Sequence, residues 1–522
     1  MNNLTGANYI AGTKSKKGKD SFKSFNPRTK ENGKVSFFNA TKDEIDKSVK
    51  KAEGSFKIIL EFSDKKLADF LKTLSEEIMN LGDQLIETCD IETALGENRL
   101  INERKRTCNQ IEMFADYIER GSYVEAIIDK KLDDSPDIRR MLLPIGPVAV
   151  FPASNFPFAF GVCGGDTVSA FAAKCPVVVK AHPLHPETSE LFAKSVYKSI
   201  EKHNFPKGFF SMIQGNKKEV SKEIVIHPNI KAVGFTGSRT VGRILFDIAS
   251  KRTEPIPVYA EMGSINPVFI TKKSMEKRNN ELAQEFSDSI TLGNGQFCTK
   301  PGVIFVNDDK YTDEFIEQTK KIMNEKEPGF LIHKKIKEGL KRTVDKTKKI
   351  DGVELVLGGN EIKDKTIYEN TLFVTNSKKF IEEKQLHMEH FGPVSFIVKC
   401  KNMDEFLKIS EEMEGQLTAT IHLEKEDYGK IKPLITKLSR KVGRIIINGV
   451  PTGVRVCNAM QHGGPYPATT FPNTTSVGTQ AIKRFLRPIS FQDFPEELLP
   501  IQIRNENKKK ILRFVDGKYK RE

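Results

Sequence analysis

Between Met141 and about residue 270, short apolar runs alternate with helical patterns, and this alternation constrains the fold more than any other feature. Pro147-Val-Ala-Val-Phe151, Val177-Val-Val-Lys180, Phe209-Phe-Ser-Met-Ile213 and Lys231-Ala-Val-Gly-Phe235 read as buried strands. Residues 158–173, 186–203 and 241–249 read as helices that follow them, the second with Pro at its start. Apolar strands separated by helical patterns form βαβ units around a parallel sheet covered on both faces. A second α/β segment is predicted from Asn266 to about Val450, with strands near 303–306, 394–398 and 445–447. The first 110 residues read mostly as amphipathic helices, as over 67–79. No internal repeat at a period of ~20–50 residues is visible, which excludes a solenoid or propeller.

At 522 residues the chain has room for about two to four domains. Its 83 Lys and Arg against 69 Asp and Glu leave a net charge of +14, which raises the question of nucleic acid. The lysines are scattered and interleaved with acids, as in Lys222-Glu223 and Glu276-Lys277, rather than gathered on one arm. That is the pattern of a solvated surface, so nucleic acid is not expected as a partner. No run approaches ~18 apolar residues and the polar N-terminus lacks a signal-peptide core, so neither a membrane span nor secretion is expected. Seven Cys with no CxxC pair point to free thiols in a reducing, cytoplasmic setting.

Four segments carry residue types suited to chemistry. In Gly293-Asn-Gly-Gln-Phe-Cys-Thr-Lys-Pro-Gly302, Cys298 sits in a Gly-rich turn between a helix and a strand. Backbone amides exposed in such a turn can lower a thiol pKa and hold an oxyanion, although most cysteines are simply small buried thiols. In Tyr259-Ala-Glu-Met-Gly263, Glu261 ends an apolar run, as a partly buried base or as a surface charge. Asn155, in Ala153-Ser-Asn-Phe-Pro157, can aim its amide at an oxyanion or merely form a turn. Val233-Gly-Phe-Thr-Gly-Ser-Arg-Thr-Val-Gly242 reads as strand, glycine turn and helix start, which presents free amides to a phosphate. It departs from the GxGxxG fingerprint, so its spacing alone says little.

Taken together and in order, these motifs resemble the aldehyde dehydrogenase superfamily along nearly the whole chain. The matching segments are Ser154-Asn-Phe-Pro157, the Lys180 strand end, Phe235-Thr-Gly-Ser238, Glu261-Met-Gly263, Gly295-Gln-Phe-Cys-Thr299 and Glu389-His-Phe-Gly-Pro393. Pro144-Ile-Gly-Pro-Val-Ala-Val-Phe151, Val179-Lys-Ala-His-Pro-Leu-His-Pro186 and the stretch 451–470 are similar to the α-ketoglutaric semialdehyde (2,5-dioxopentanoate) dehydrogenases. The related NADP-dependent fatty aldehyde dehydrogenases share these features and are the alternative.

The resemblance implies an α/β fold with a Rossmann-like dinucleotide-binding domain (1–121 and 145–263), an α/β catalytic domain (264–470) and a β oligomerisation flap (122–144 and 471–522). It implies Cys298 as nucleophile, Asn155 and the Cys298 N–H as oxyanion donors, and Glu261 as a general base of raised pKa that hydrolyses the thioester, with no metal. Relatives that deliver the acyl group to CoA generally lack a base at the Glu261 position. For the cofactor it implies Lys180, Gly237 and Ser238, with Glu389 and Phe391 on the nicotinamide side. Many NAD-using members carry a Glu three residues after the Lys180 equivalent, where this chain has Pro183. A 2′-phosphate would meet no repelling charge there and could pair with Lys180, helped by His182 or Lys217, so NADP is expected over NAD. Arg455 is the candidate for the distal carboxylate of the substrate, Arg139-Arg140 is taken as structural, and a homodimer or homotetramer is expected.

Overall fold

The computed structural model describes residues 4–522. Three sheets organise the chain. The first has seven strands in the order Val258–Glu261, Ala232–Thr236, Val148–Phe151, Val177–Lys180, Phe210–Ile213, Asn8–Ile10 and Thr13–Ser15. The first five run parallel, and the last two close the edge antiparallel. The second sheet also has seven strands, with Val303–Asn307 and Val268–Ile270 near its middle and one antiparallel edge strand, Glu354–Leu357. The third has five strands: Ile127–Asp129 and Ile138–Pro144 pair as a hairpin, flanked by Leu486–Gln492 on one side and by Arg513–Val515 and Lys518–Lys520 on the other.

The predicted strands of both sheets lie where the apolar runs put them, and several are buried from end to end, as Val148–Phe151 is, whereas the edge strand Val442–Ile447 is buried only at its first residue. Helices that cover them are stopped and started by local chemistry. Thr41 and Glu44 form a reciprocal capping box at the start of helix Lys42–Ile59. Ser238 caps helix Arg239–Ser250 by accepting from the Val241 N–H.

Two segments differ from the sequence expectation. Residues 8–38 carry strands rather than helices, pairing as Asn8–Ile10 with Thr13–Ser15 and as Ser21–Phe25 with Asn32–Phe38. The first pair is fixed by the open edge at Phe210–Ile213, whose unpaired backbone groups it satisfies. The helix expected from residue 158 starts instead at Gly165. Residues 157–163 are turns because buried Glu103 takes the Phe158 and Ala159 N–H groups, at 2.9 and 3.0 Å.

Candidate active site

The C-terminal ends of the parallel strands in the first sheet converge on one edge, the usual place for ligands in open α/β sheets. Phe151 leads to Asn155, Lys180 ends its own strand, Thr236 leads to Gly237 and Ser238, and Glu261 is the last residue of the edge strand. The turn 292–300 approaches from the second sheet. Gly295 there has φ +66°, and a Cβ would lie 2.1 Å from the Gly392 oxygen. Only glycine fits so close a backbone crossing, and the crossing seats the segment 389–393 beside Cys298.

Cys298, Glu261 and Asn155 are brought together. The Asn155 amide donates to the Gln296 oxygen at 3.0 Å, which leaves its second N–H free for a ligand. The Cys298 oxygen is held by the Asn266 amide at 2.8 Å, and its N–H has no protein acceptor among the described residues. Cys298 Sγ lies 3.6 Å from His462 Nε2, and the same nitrogen lies 2.8 Å from Glu261 Oε1. The Ser476 hydroxyl donates to Glu261 Oε2. The side chains of His462 and Glu261 are only 1% and 3% exposed, while Cys298 is partly exposed. Facing an ionised carboxylate, Nε2 carries its proton and donates to Oε1, so the Glu261 carboxylate, which also lies within 4.8 Å of Sγ, is the group able to accept the thiol proton.

Electrostatics distinguish the two acids. Burial, reinforced by the charges of Glu261 and Glu389, pushes the Cys298 thiol well up. The thiol is thus protonated at rest and needs an acceptor. Glu261 corrects the sequence expectation of a raised base. Burial works to raise its pKa, but the His462 charge and hydrogen bond, the Ser476 hydroxyl and the Arg484 charge outweigh it and hold the carboxyl below its ordinary range. Arg484 is itself locked to buried Asp166 at 2.7 Å.

Of the residues expected to meet a cofactor, Lys180 is half-buried with no carboxylate partner among the described residues, and burial lowers its pKa to about 8. Such a cation at a strand end suits an anionic ligand. His182 accepts from the Leu184 N–H through Nδ1 at 3.2 Å, and burial keeps it neutral, so its proton sits on Nε2 and can be donated. Lys217 is engaged with Asp20. The Gly237 N–H donates to the Glu261 oxygen at 3.1 Å, tying the glycine turn to the edge strand. The Glu389 carboxylate presses on Gly263, where a Cβ would lie 2.3 Å from Oε2. Burial pushes Glu389 up to about 7 and Lys300 down to about 8, each opposed by the other's charge. Phe391 is half-buried beside this pair in sequence. Lys180, Gly237 and Ser238 thus stand along one edge of the first sheet, with Glu389 on the segment that precedes strand Val394–Cys400 of the second.

Arg455 lies exposed on its loop with no hydrogen bond or ion pair among the described residues. His462 and Ser476 were not singled out from the sequence. His462 stands inside the family-like stretch 451–470, 164 positions from Cys298, and only the fold reveals the approach.

Comparison with known proteins agrees with this geometry. The profile of the aldehyde dehydrogenase family matches residues 13–483. The chain belongs to that family. It is 42% identical over 456 residues to α-ketoglutaric semialdehyde dehydrogenase 2 of Azospirillum brasilense, covering 86% of this chain and 87% of that protein. It is 38% identical to the α-ketoglutaric semialdehyde dehydrogenase of Acinetobacter baylyi, covering 92% of each. Its fold matches that of a glyceraldehyde-3-phosphate dehydrogenase of Methanocaldococcus jannaschii complexed with NADP, with TM-score 0.78 at 20% identity, over 91% of this chain and 99% of that one. The protein is an NAD(P)-dependent oxidoreductase acting on aldehydes. No helix among the described residues is long and apolar enough to cross a membrane.

Proposed function

We propose that this dehydrogenase oxidises 2,5-dioxopentanoate to 2-oxoglutarate, with NADP preferred to NAD. The observation that carries the substrate is the 42% identity, over most of both chains, to a protein named for that semialdehyde. Cys298 is the nucleophile. Its proton passes to the Glu261 carboxylate, within 4.8 Å of Sγ and held by the His462 Nε2–H and the Ser476 hydroxyl, and the sulfur attacks the aldehyde carbon to form a thiohemiacetal. The free N–H of the Asn155 amide and the Cys298 N–H hold the oxyanion. A nicotinamide held by the strand-end residues would supply the two-electron acceptor for the step from this adduct to a thioester. Glu261, its first proton passed on to solvent and again ionised, takes a proton from water, whose oxygen adds to the thioester carbonyl and expels the Cys298 thiolate. The carboxylate product then leaves, and neither half of the sequence calls on a metal.

Lys180, His182, Gly237 and Ser238 would hold the phosphate-bearing part of the cofactor, and Glu389 and Phe391 the nicotinamide side. The NADP preference rests on Lys180, unpaired and half-buried, followed by Pro183 where a carboxylate would repel a 2′-phosphate. The division into 1–121 with 145–263, 264–470, and 122–144 with 471–522 is supported by the three sheets, whose strands each stay within one unit. Self-association as a homodimer or homotetramer through the third unit is supported by exposed Leu132, Phe494, Leu498 and Tyr519.

The test is the initial rate of nicotinamide reduction with 2,5-dioxopentanoate against decanal, each with NADP and NAD. A kcat/KM at least about tenfold higher for the dioxo acid is expected, a difference of about 1.4 kcal/mol in transition-state binding. A preference for decanal would move the enzyme to the fatty aldehyde class.

A further inference from the structure

The long helix Glu97–Glu119 sets Arg99, Glu103, Arg106 and Gln110 on one face, at spacings of four, three and four. That face lies against the segment 155–165, which carries the oxyanion donor. Three of its four polar residues are committed to this segment. Arg99 donates to the Asn155 oxygen at 2.5 Å, with its guanidinium carbon 5.1 and 4.5 Å from the rings of Phe156 and Phe297. Glu103 binds the Phe158 and Ala159 N–H groups. Gln110 Nε2 sits 2.7 Å from where a Cβ on Gly165 would be.

Arg106 is the exception. It is half-buried and has no hydrogen bond or ion pair among the described residues. Its guanidinium carbon lies 5.6 Å from the centre of the Phe160 ring. Phe160 lies 6.3 Å from the His462 ring, whose Nε2 is 3.6 Å from the nucleophile. Two rings, Phe160 and the His462 imidazole, thus link the cation to the reacting sulfur. Glu103, the neighbouring acid on the helix, spends one carboxylate oxygen on backbone amides and acts on Arg106 through its charge, without a hydrogen bond or ion pair to it among the described residues. Around Phe160, the side chains of Phe156, Val454, Val456 and Met460 form an apolar cluster. A partly desolvated guanidinium beside apolar walls is unfavourable until a carboxylate completes it, and its planar fork suits a bidentate carboxylate.

We propose that Arg106 is an anion subsite of the aldehyde channel, binding the carboxylate at the substrate end opposite the aldehyde. The chain thereby selects short ω-oxo carboxylic acids, whose methylene carbons lie against Phe160 and its neighbours. This rests on the aldehyde-oxidising reading and assigns the distal contact to the long helix rather than to Arg455, which stands in solvent.

The test uses the full-length protein and its R106M and R106K variants, with NADP saturating and with 2,5-dioxopentanoate and pentanal as substrates. These have the same number of carbons, and only one carries a carboxylate. In R106M the ratio of kcat/KM between the dioxo acid and pentanal falls about 10²-fold, chiefly through KM for the acid, as expected for loss of a charged hydrogen-bonded pair. R106K, which keeps the charge without the fork, retains an intermediate ratio. R106E gains relative activity on 4-aminobutanal, whose cationic end complements the new carboxylate. A ratio unchanged in both R106M and R106K overturns the proposal, as does an equal loss on both aldehydes. A wild-type enzyme that oxidises pentanal but not the dioxo acid overturns the anion subsite while leaving the dehydrogenase standing. A wild type inactive on every aldehyde overturns both.

Discussion

His462→Phe isolates the part of the mechanism that depends on the buried imidazole. Phenylalanine keeps an aromatic ring in a site where the histidine is 1% exposed, and it removes the nitrogen that faces both Sγ and Oε1. Two unit charges 3.6 Å apart interact by about 5 kcal/mol at an effective dielectric of about 20. At 1.36 kcal/mol per pH unit, that is a ceiling of about 3 units on the help an imidazolium gives the thiolate. The Glu261 carboxylate repels the same thiolate and reduces the net effect. The midpoint of iodoacetamide alkylation at Cys298 should therefore move up by between about 1 and 3 pH units in the variant. Loss of the donor that orients the accepting Glu261 carboxylate should lower kcat/KM as well, by less than the about 10²–10⁴ that a lost general base costs. The assay is the pH dependence of alkylation without cofactor, followed by intact mass, with thermal melting of both proteins as a folding control. An alkylation midpoint that stays within about 0.3 pH units of wild type, in a folded variant, would refute the electrostatic role and leave His462 as packing.

Asn155→Ala should cut kcat by about 10²–10³ while the alkylation profile of Cys298 stays in place, because the amide acts on the oxyanion and not on the thiol. Lys180→Met should raise KM for NADP well above that for NAD. In wild type, NADP affinity should hold below pH 8 and weaken above it, since the ammonium loses its proton near pH 8; NAD affinity, with no 2′-phosphate to pair, should stay flat across that range. The sulfur, imidazole and carboxylate atoms of Cys298, His462 and Glu261 all lie within 4.8 Å of one another, a ligand set that suits Zn²⁺ and not Mg²⁺. Micromolar Zn²⁺ should therefore block both turnover and alkylation until a chelator is added, and His462→Phe should weaken that block at least about tenfold.

Much of this architecture is legible in the sequence because parallel strands buried on both faces are written as unbroken apolar runs, as in Val177-Val-Val-Lys180. The same runs place Asn155, Lys180, Ser238 and Glu261, since each stands at or just beyond a strand end and the topology aligns those ends on one edge. What escapes is set by long-range contact. The strands before Phe38 depend on an edge 200 residues away, where Ala11 N meets Ser211 Oγ. The start of helix Gly165–Ala172 depends on a carboxylate at Glu103 that no local pattern reveals. Glu261 has a lowered pKa because of His462, Ser476 and Arg484, and nothing near Glu261 in the sequence announces them. Arg106 carries a helical spacing from Arg99 that is readable in principle, but arginines at such spacing on an amphipathic helix usually meet solvent.

The segment from His462 to Arg484 crosses back to the first sheet, where the Met262 N–H binds the Ala468 oxygen and the Ala260 oxygen accepts from Thr470. This crossing has a consequence for biosynthesis. A nascent chain emerging from the ribosome can complete the first sheet once Glu261 is out, and the second once residue 447 is out. Until residue 476 has followed, however, Glu261 has neither of its side-chain partners and Cys298 faces no imidazole. Cys298 and Glu261 therefore meet these partners only after the strands of both sheets can already have paired.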